Sequence, residues 1–151
     1  MSVSLKSQRR GERGAALVEF SIAALVFLTA VFAVIEFGRL LWVHNALTDA
    51  ARRGARYAVN HPQTAAADAQ RVAVYGTTAD GASPLVTGLK PGQVKVEYSA
   101  GYNVGEGTVR VSIQNYTFNF VVPLVGTTIQ MPPYTSTLTA ESAGQVPGNL
   151  P

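Results

Sequence analysis
No cysteine occurs in the 151 residues, which excludes disulfides, a cysteine nucleophile and thiolate metal sites. Histidine is almost as scarce. His44 and His61 are the only two, and they lack the H-x-x-x-H spacing of a helical metal site. No Ser/His/Asp arrangement stands out, and the glycines between Gly101 and Gly107 are not followed by the Lys-Ser/Thr and helix of a phosphate loop. Charged residues make up 14% of the chain, against about 25% for an ordinary soluble domain. Between Ala15 and Ile35 proline and glycine are absent, and the only polar side chains are Glu19, Ser21 and Thr29.

What is there follows from those absences. The run Ala15–Ile35 is 21 residues of mostly Ala, Val, Leu, Phe and Ile, close to the ~20 that cross a bilayer as a helix. Lipid cannot satisfy open backbone groups, so the segment has to be helical there. A secretory signal has a shorter apolar core, of about 7–15 residues, and ends at a small-residue cleavage site. Here no Ala-x-Ala site follows between Glu36 and Asn60. The small residue of interest, Gly14, precedes the run.

The net charge of +3 is local. Lys6, Arg9, Arg10 and Arg13 against Glu12 account for all of it; residues 15–151 hold eight cations and eight carboxylates. The basic character belongs to a leader, so a nucleic-acid role loses its support. Four cations (Arg39, Arg52, Arg53, Arg56) lie beyond the apolar run as well. The leader's are closer to it on average and favour a cytoplasmic N-terminus modestly.

The helical pattern continues past the run. Val43, Leu47, Ala50, Ala51, Gly54 and Ala58 form an apolar stripe at spacings of mostly three and four, with Arg52, Arg53 and Arg56 off it. The Ala50/Gly54/Ala58 line is narrow enough for another helix to approach closely. A helix from Ala15 to Val59 would be about 65 Å long, and Asn60-His61-Pro62 ends it, because the residue before proline avoids helical backbone.

Thr64 to Tyr75 reads as a short helix with Thr64 as N-cap and Gly76 as the stop. Residues 77–92 read as a Gly/Pro-rich loop. Alternation predicts strands over Val94–Tyr98, Val109–Ile113 and Tyr116–Phe120, the first two joined by a glycine-rich hairpin, and a more polar strand over Thr135–Glu141. Val121–Pro133 reads as a loop carrying Leu124, Val125, Ile129 and Met131, either tucked onto its own core or exposed as a contact surface. The fold class is α+β: a long N-terminal transmembrane and stalk helix with a small antiparallel sheet domain packed on its C-terminal half. Three segments are expected: a basic leader (1–14), the transmembrane and stalk helix (15–59) and an extracytoplasmic α+β domain (60–151). The Asn115-Tyr116-Thr117 sequon matters only in a host that glycosylates it.

The string Gly14-Ala15-Ala16-Leu17-Val18-Glu19-Phe20 resembles the processing site of type IV prepilins. With Glu36-Phe37-Gly38-Arg39, Ala46-Leu47-Thr48-Asp49-Ala50-Ala51-Arg52 and Gly54-Ala55-Arg56-Tyr57, the stretch from Gly14 to about Val59 is similar to TadE-like minor pseudopilins of the tight-adherence (Flp) pilus system. The resemblance implies cleavage between Gly14 and Ala15 by a prepilin peptidase, and an assembly role for Glu19, fifth in the mature chain, and Phe20. It implies a non-enzymatic protein without catalytic residues, cofactor or metal. The implied partners are the peptidase, sibling minor pseudopilins, the major pilin, an inner-membrane assembly platform and membrane lipid, with no nucleic acid. The implied location is the bacterial inner membrane, single-pass, with the outer domain extracytoplasmic.

Residue chemistry agrees with that expectation. Glycine leaves the backbone open to a peptidase; the alternative is that Gly14 only marks where the helix starts. A carboxylate in apolar surroundings needs a partner or a proton, and the Ala15 ammonium lies one turn from Glu19; the alternative places Glu19 among headgroups. Glu36 and Arg39 are spaced to pair on one helix face, either as a solvated pair at the membrane exit or, with Phe37, as a second register contact. Trp42 fits an interfacial anchor. The rival reading is an uncleaved single-pass envelope protein whose outer domain binds a ligand or adheres.

Overall fold
The computed structural model describes residues 8–79, 82–121 and 128–140, with side chains from Gly14 onward. Its elements are α1 (Gln8–Val59), a 3-10 turn (Gln63–Ala65), α2 (Ala66–Tyr75), a second 3-10 turn (Pro91–Gln93), β1 (Val94–Tyr98), β2 (Thr108–Ile113), β3 (Thr117–Asn119), β4 (Thr128–Gln130) and β5 (Tyr134–Thr139). This is the expected α+β class, a long apolar N-terminal helix and a small antiparallel sheet domain. The described residues fall into two compact units. One is α1 up to Arg39 with Phe120 and Val121; the other holds the rest, from Leu40 on.

In the second unit β2 is the centre of a three-stranded antiparallel sheet ordered β1-β2-β5. Val94, Val96 and Tyr98 stand opposite Ile113, Val111 and Val109. On the other side Val109, Val111 and Ile113 stand opposite Leu138, Ser136 and Tyr134. Strand side chains alternate between faces, so Val109, Val111 and Ile113 share one face, and all three are fully buried. Ser112 points to the other face and is buried too, with the Gln114 side chain donating to its hydroxyl at 3.3 Å.

Three expectations change. The helix after Pro62 opens as a 3-10 turn, so Thr64 lies inside that turn and Ala65 occupies the N-cap of α2 without a side-chain cap. Its end is as expected: Gly76 adopts φ 75°, a left-handed conformation favourable for glycine, and its N–H returns to the Val72 carbonyl. Residues 128–130 are a strand rather than a loop, paired with β3 through Phe118 and Ile129. The last strand starts at Tyr134 and ends at Thr139. Within the expected 121–133 loop, Met131 is buried and Ile129 exposed; Leu124 and Val125, like Glu141 in the last strand, lie outside the described residues.

The apolar stripe of α1 is the other wall of this core. Val43, Leu47, Ala50, Ala51, Ala55, Ala58 and Val59 are buried. The helix that approaches the small-residue line is α2 of the same chain. A Cβ placed on Gly54 would lie 3.0 Å from the Ala73 Cβ, 3.2 Å from a Val111 methyl and 3.3 Å from the Ala69 carbonyl oxygen. Arg53, expected off the stripe, is half-buried and donates to the Ala73 carbonyl at 3.1 Å. At the C-terminal end of α1, the Tyr102 hydroxyl is 2.8 Å from the Val59 carbonyl oxygen and 3.1 Å from that of Ala58. It thereby pairs the Val59 carbonyl at the helix end, while the Ala58 carbonyl also accepts the His61 N–H at 3.3 Å. Farther up, the Tyr134 hydroxyl meets His44 Nδ1 at 2.8 Å, with the two rings edge to face, joining β5 to α1.

Two outcomes follow. Gly54→Leu forces side-chain atoms between α1, α2 and β2 and should cost about 1–3 kcal/mol by overpacking, read as a lowered unfolding midpoint of the full chain in detergent. An unchanged midpoint would mean that the helices do not meet at Gly54. Burial also raises the Tyr98, Tyr102 and Tyr134 hydroxyls above the usual tyrosine range. The folded state therefore favours the neutral phenols. Their contribution is whole below about pH 10, the unfolded value, and is lost as pH rises through the folded values. Thermal stability should fall in that alkaline range, and Tyr102→Phe should lower it by about 1 kcal/mol at neutral pH through the lost hydrogen bond.

Candidate functional site on the apolar helix
α1 runs through Gly14 and Ala15 without a break. Gly14 therefore does not mark a helix start. A Cβ at this position would meet nothing within 4 Å. Glycine inside a helix costs about 1 kcal/mol relative to alanine, and no contact among the described residues requires it here.

Beyond Gly14 the helix is bare. Phe20 is 70% exposed, Phe27 66% and Val34 72%, and none of the large apolar side chains from Leu17 to Ile35 is buried. Among the described residues this is the one helix long and apolar enough to cross a membrane. Its two hydroxyls make no demand on the surroundings. Ser21 donates to the Leu17 carbonyl at 2.7 Å and Thr29 to that of Leu25 at 2.8 Å, which leaves both compatible with lipid.

Gly14, Ala15, Val18, Glu19, Ile22 and Ala23 share one helix face. Ala15 and Glu19 are thus one turn apart on the same side, with Phe20 beside them on the adjacent flank. Glu19 is exposed and has neither a hydrogen bond nor an ion pair among the described residues.

Glu36 stands at the other end of the run and differs in every respect. It is 4% exposed. Its Oε2 accepts from Arg39 Nη2 at 2.9 Å and Nε at 3.3 Å, so the i,i+3 pair exists. Its Oε1 accepts the backbone N–H of Val121 at 3.1 Å. The pair is therefore not the fully solvated one that spacing alone allows: the carboxylate is enclosed, while Arg39 remains partly open at 39%. Phe37 does not join this cluster and is 60% exposed. Trp42 is likewise exposed on α1.

The Val121 contact has no sequence signal. The two residues are 85 positions apart, and Arg39 already supplies Glu36 with a counter-charge. Only the cost of enclosing a carboxylate, which calls for more than one donor, would have prompted a search for a second partner.

Glu36→Ala removes the acceptor of the Val121 amide. Hydrogen bonds to charged groups contribute about 1.5–3 kcal/mol, so exchange at that amide should speed up about tenfold or more, read by hydrogen-exchange mass spectrometry on the full chain. Glu36→Gln keeps an oxygen acceptor and should retain part of the protection. Equal exchange in all three proteins would remove Glu36 as the group that holds Val121.

Residues 14–56 match the model of the family described as TadE-like protein. The match covers the apolar helix and most of its continuation, the stretch on which the sequence resemblance rests. Comparison with curated proteins and with solved structures finds no match.

Proposed function
We propose that this chain, TadE-like over residues 14–56, is a minor pseudopilin that supports assembly or priming of a tight-adherence pilus. In this reading residues 1–14 are a leader that stays cytoplasmic, α1 crosses the inner membrane once, and the sheet domain lies outside. A prepilin peptidase cuts between Gly14 and Ala15. Trp42 serves as an aromatic anchor at the membrane boundary.

The observation that carries the reading is the pairing of an unneeded glycine with an unpartnered carboxylate at the mouth of a bare apolar helix. No packing contact among the described residues requires Gly14. Its low helix propensity eases the local unwinding that a peptidase needs to reach the backbone. The cut releases an ammonium on Ala15, one turn from Glu19. In an apolar environment that carboxylate is costly unless paired, and the ammonium of its own or a neighbouring subunit supplies the charge. Pairing between subunits would set their axial register, with Phe20 and the adjoining apolar face packing helix against helix. Glu36, Phe37 and Arg39 form a secondary contact region near the membrane exit.

The role is structural rather than catalytic. The partners are the peptidase, sibling minor pseudopilins, the major pilin and the inner-membrane assembly platform. The test is Glu19→Ala in the native strain. Membrane level of the protein should stay normal while pilus formation falls by an order of magnitude or more; an effect of that size is expected if one buried ion pair, whose disruption costs about 3–5 kcal/mol, fixes the register. Wild-type piliation would contradict the assembly role of Glu19.

A further inference from the structure
We propose that Val121 is a second membrane contact, held at the acyl–headgroup boundary of the bilayer by Glu36. The proposal rests on the membrane-spanning part of the reading above and not on cleavage. From Ala15 to Ile35 the helix rises about 30 Å at 1.5 Å per residue, the thickness of a bilayer's hydrocarbon core. Glu36 is the next residue, so it marks the level at which hydrocarbon ends. The Val121 amide is 3.1 Å from its carboxylate, which places Val121 at that same level although it belongs to no part of the helix.

The surroundings decide the occupant. The Val121 side chain is 75% exposed, and on α1 Val34, Ile35 and Phe37 are exposed as well. Among the described residues of this unit, the carboxylate at this level is Glu36, which is enclosed and paired with Arg39. An aliphatic side chain at the boundary suits lipid, and the partly open Arg39 beside it is already engaged by Glu36. Burial of the Val121 backbone donor on Glu36 removes the cost that an open N–H would carry there. Apolar side chains at this depth bind the interface as those of surface-lying segments do.

The cysteine-free chain allows a direct test. Val121→Cys and, as an insertion control, Phe27→Cys are each labelled with an environment-sensitive fluorophore in the full-length protein. Both are reconstituted into phosphatidylcholine/phosphatidylglycerol vesicles. Quenching is compared between a spin label carried near the lipid headgroup, one carried deep in the acyl chain, and aqueous iodide. The label at 121 should emit to the blue and be quenched several-fold more by the shallow lipid label than by iodide. The label at 27 should respond to the deep one. Glu36→Ala should abolish the blue shift at 121 and leave 27 unchanged.

Iodide quenching at 121 with lipid quenching at 27 would overturn the proposal alone. Shielding of 121 from every quencher would overturn it in favour of a protein contact. Lipid quenching at 121 that survives Glu36→Ala would overturn the role of Glu36. Loss of lipid quenching at 27 would sink the membrane-spanning reading itself.

Discussion

One helix has to satisfy two environments with a single backbone period, and everything else in the structure depends on that. From Val43 to Val59 the apolar side of α1 is covered by the chain's own α2 and sheet. From Leu17 to Phe37 thirteen large apolar side chains are exposed. Leaving each in water forgoes about 1.5–3 kcal/mol, on the order of tens of kcal/mol together. A whole domain is stable by only about 5–15 kcal/mol. A bare apolar surface of that size favours transfer into lipid or against neighbouring helices, consistent with a single-pass membrane segment.

That demand explains where the chain spends its few polar groups. Ser21 and Thr29 close their hydrogen bonds on the turn behind them. Glu36 is neutralised by Arg39 and capped by the Val121 amide. Glu19 alone in this stretch is left without a partner among the described residues. A carboxylate in that position is either a defect or an attachment point, and its place one turn from Ala15 favours the second.

Much of this was legible because it depends on period and composition. The end of α1 follows from Asn60-His61-Pro62, and the β1–β2 pairing follows from strict alternation in Val94–Tyr98 and Val109–Ile113. The small-residue stripe announced a close approach at Gly54, but not whose helix would make it. The answer lies in Ala69 and Ala73 of α2, whose small size complements Gly54 only once the chain has turned back. β4 escaped because three residues, flanked by Gly126 and the Pro132-Pro133 pair, are too few to show alternation; only pairing with β3 makes them a strand. Thr64 misled because its type suits an N-cap, whereas the 3-10 turn shifts the cap to Ala65. The Glu36–Val121 bond was invisible because nothing in either segment refers to the other.

The central claim is that α1 becomes an assembly element by gaining a new N-terminus beside Glu19. The most direct measurement is the N-terminal sequence of the protein recovered from its native membrane, in strains with and without the prepilin peptidase. The account predicts a start at Ala15 only when the peptidase is present. An N-terminus still within residues 1–14 in both strains would contradict it and leave an uncleaved, membrane-anchored binding protein as the better description.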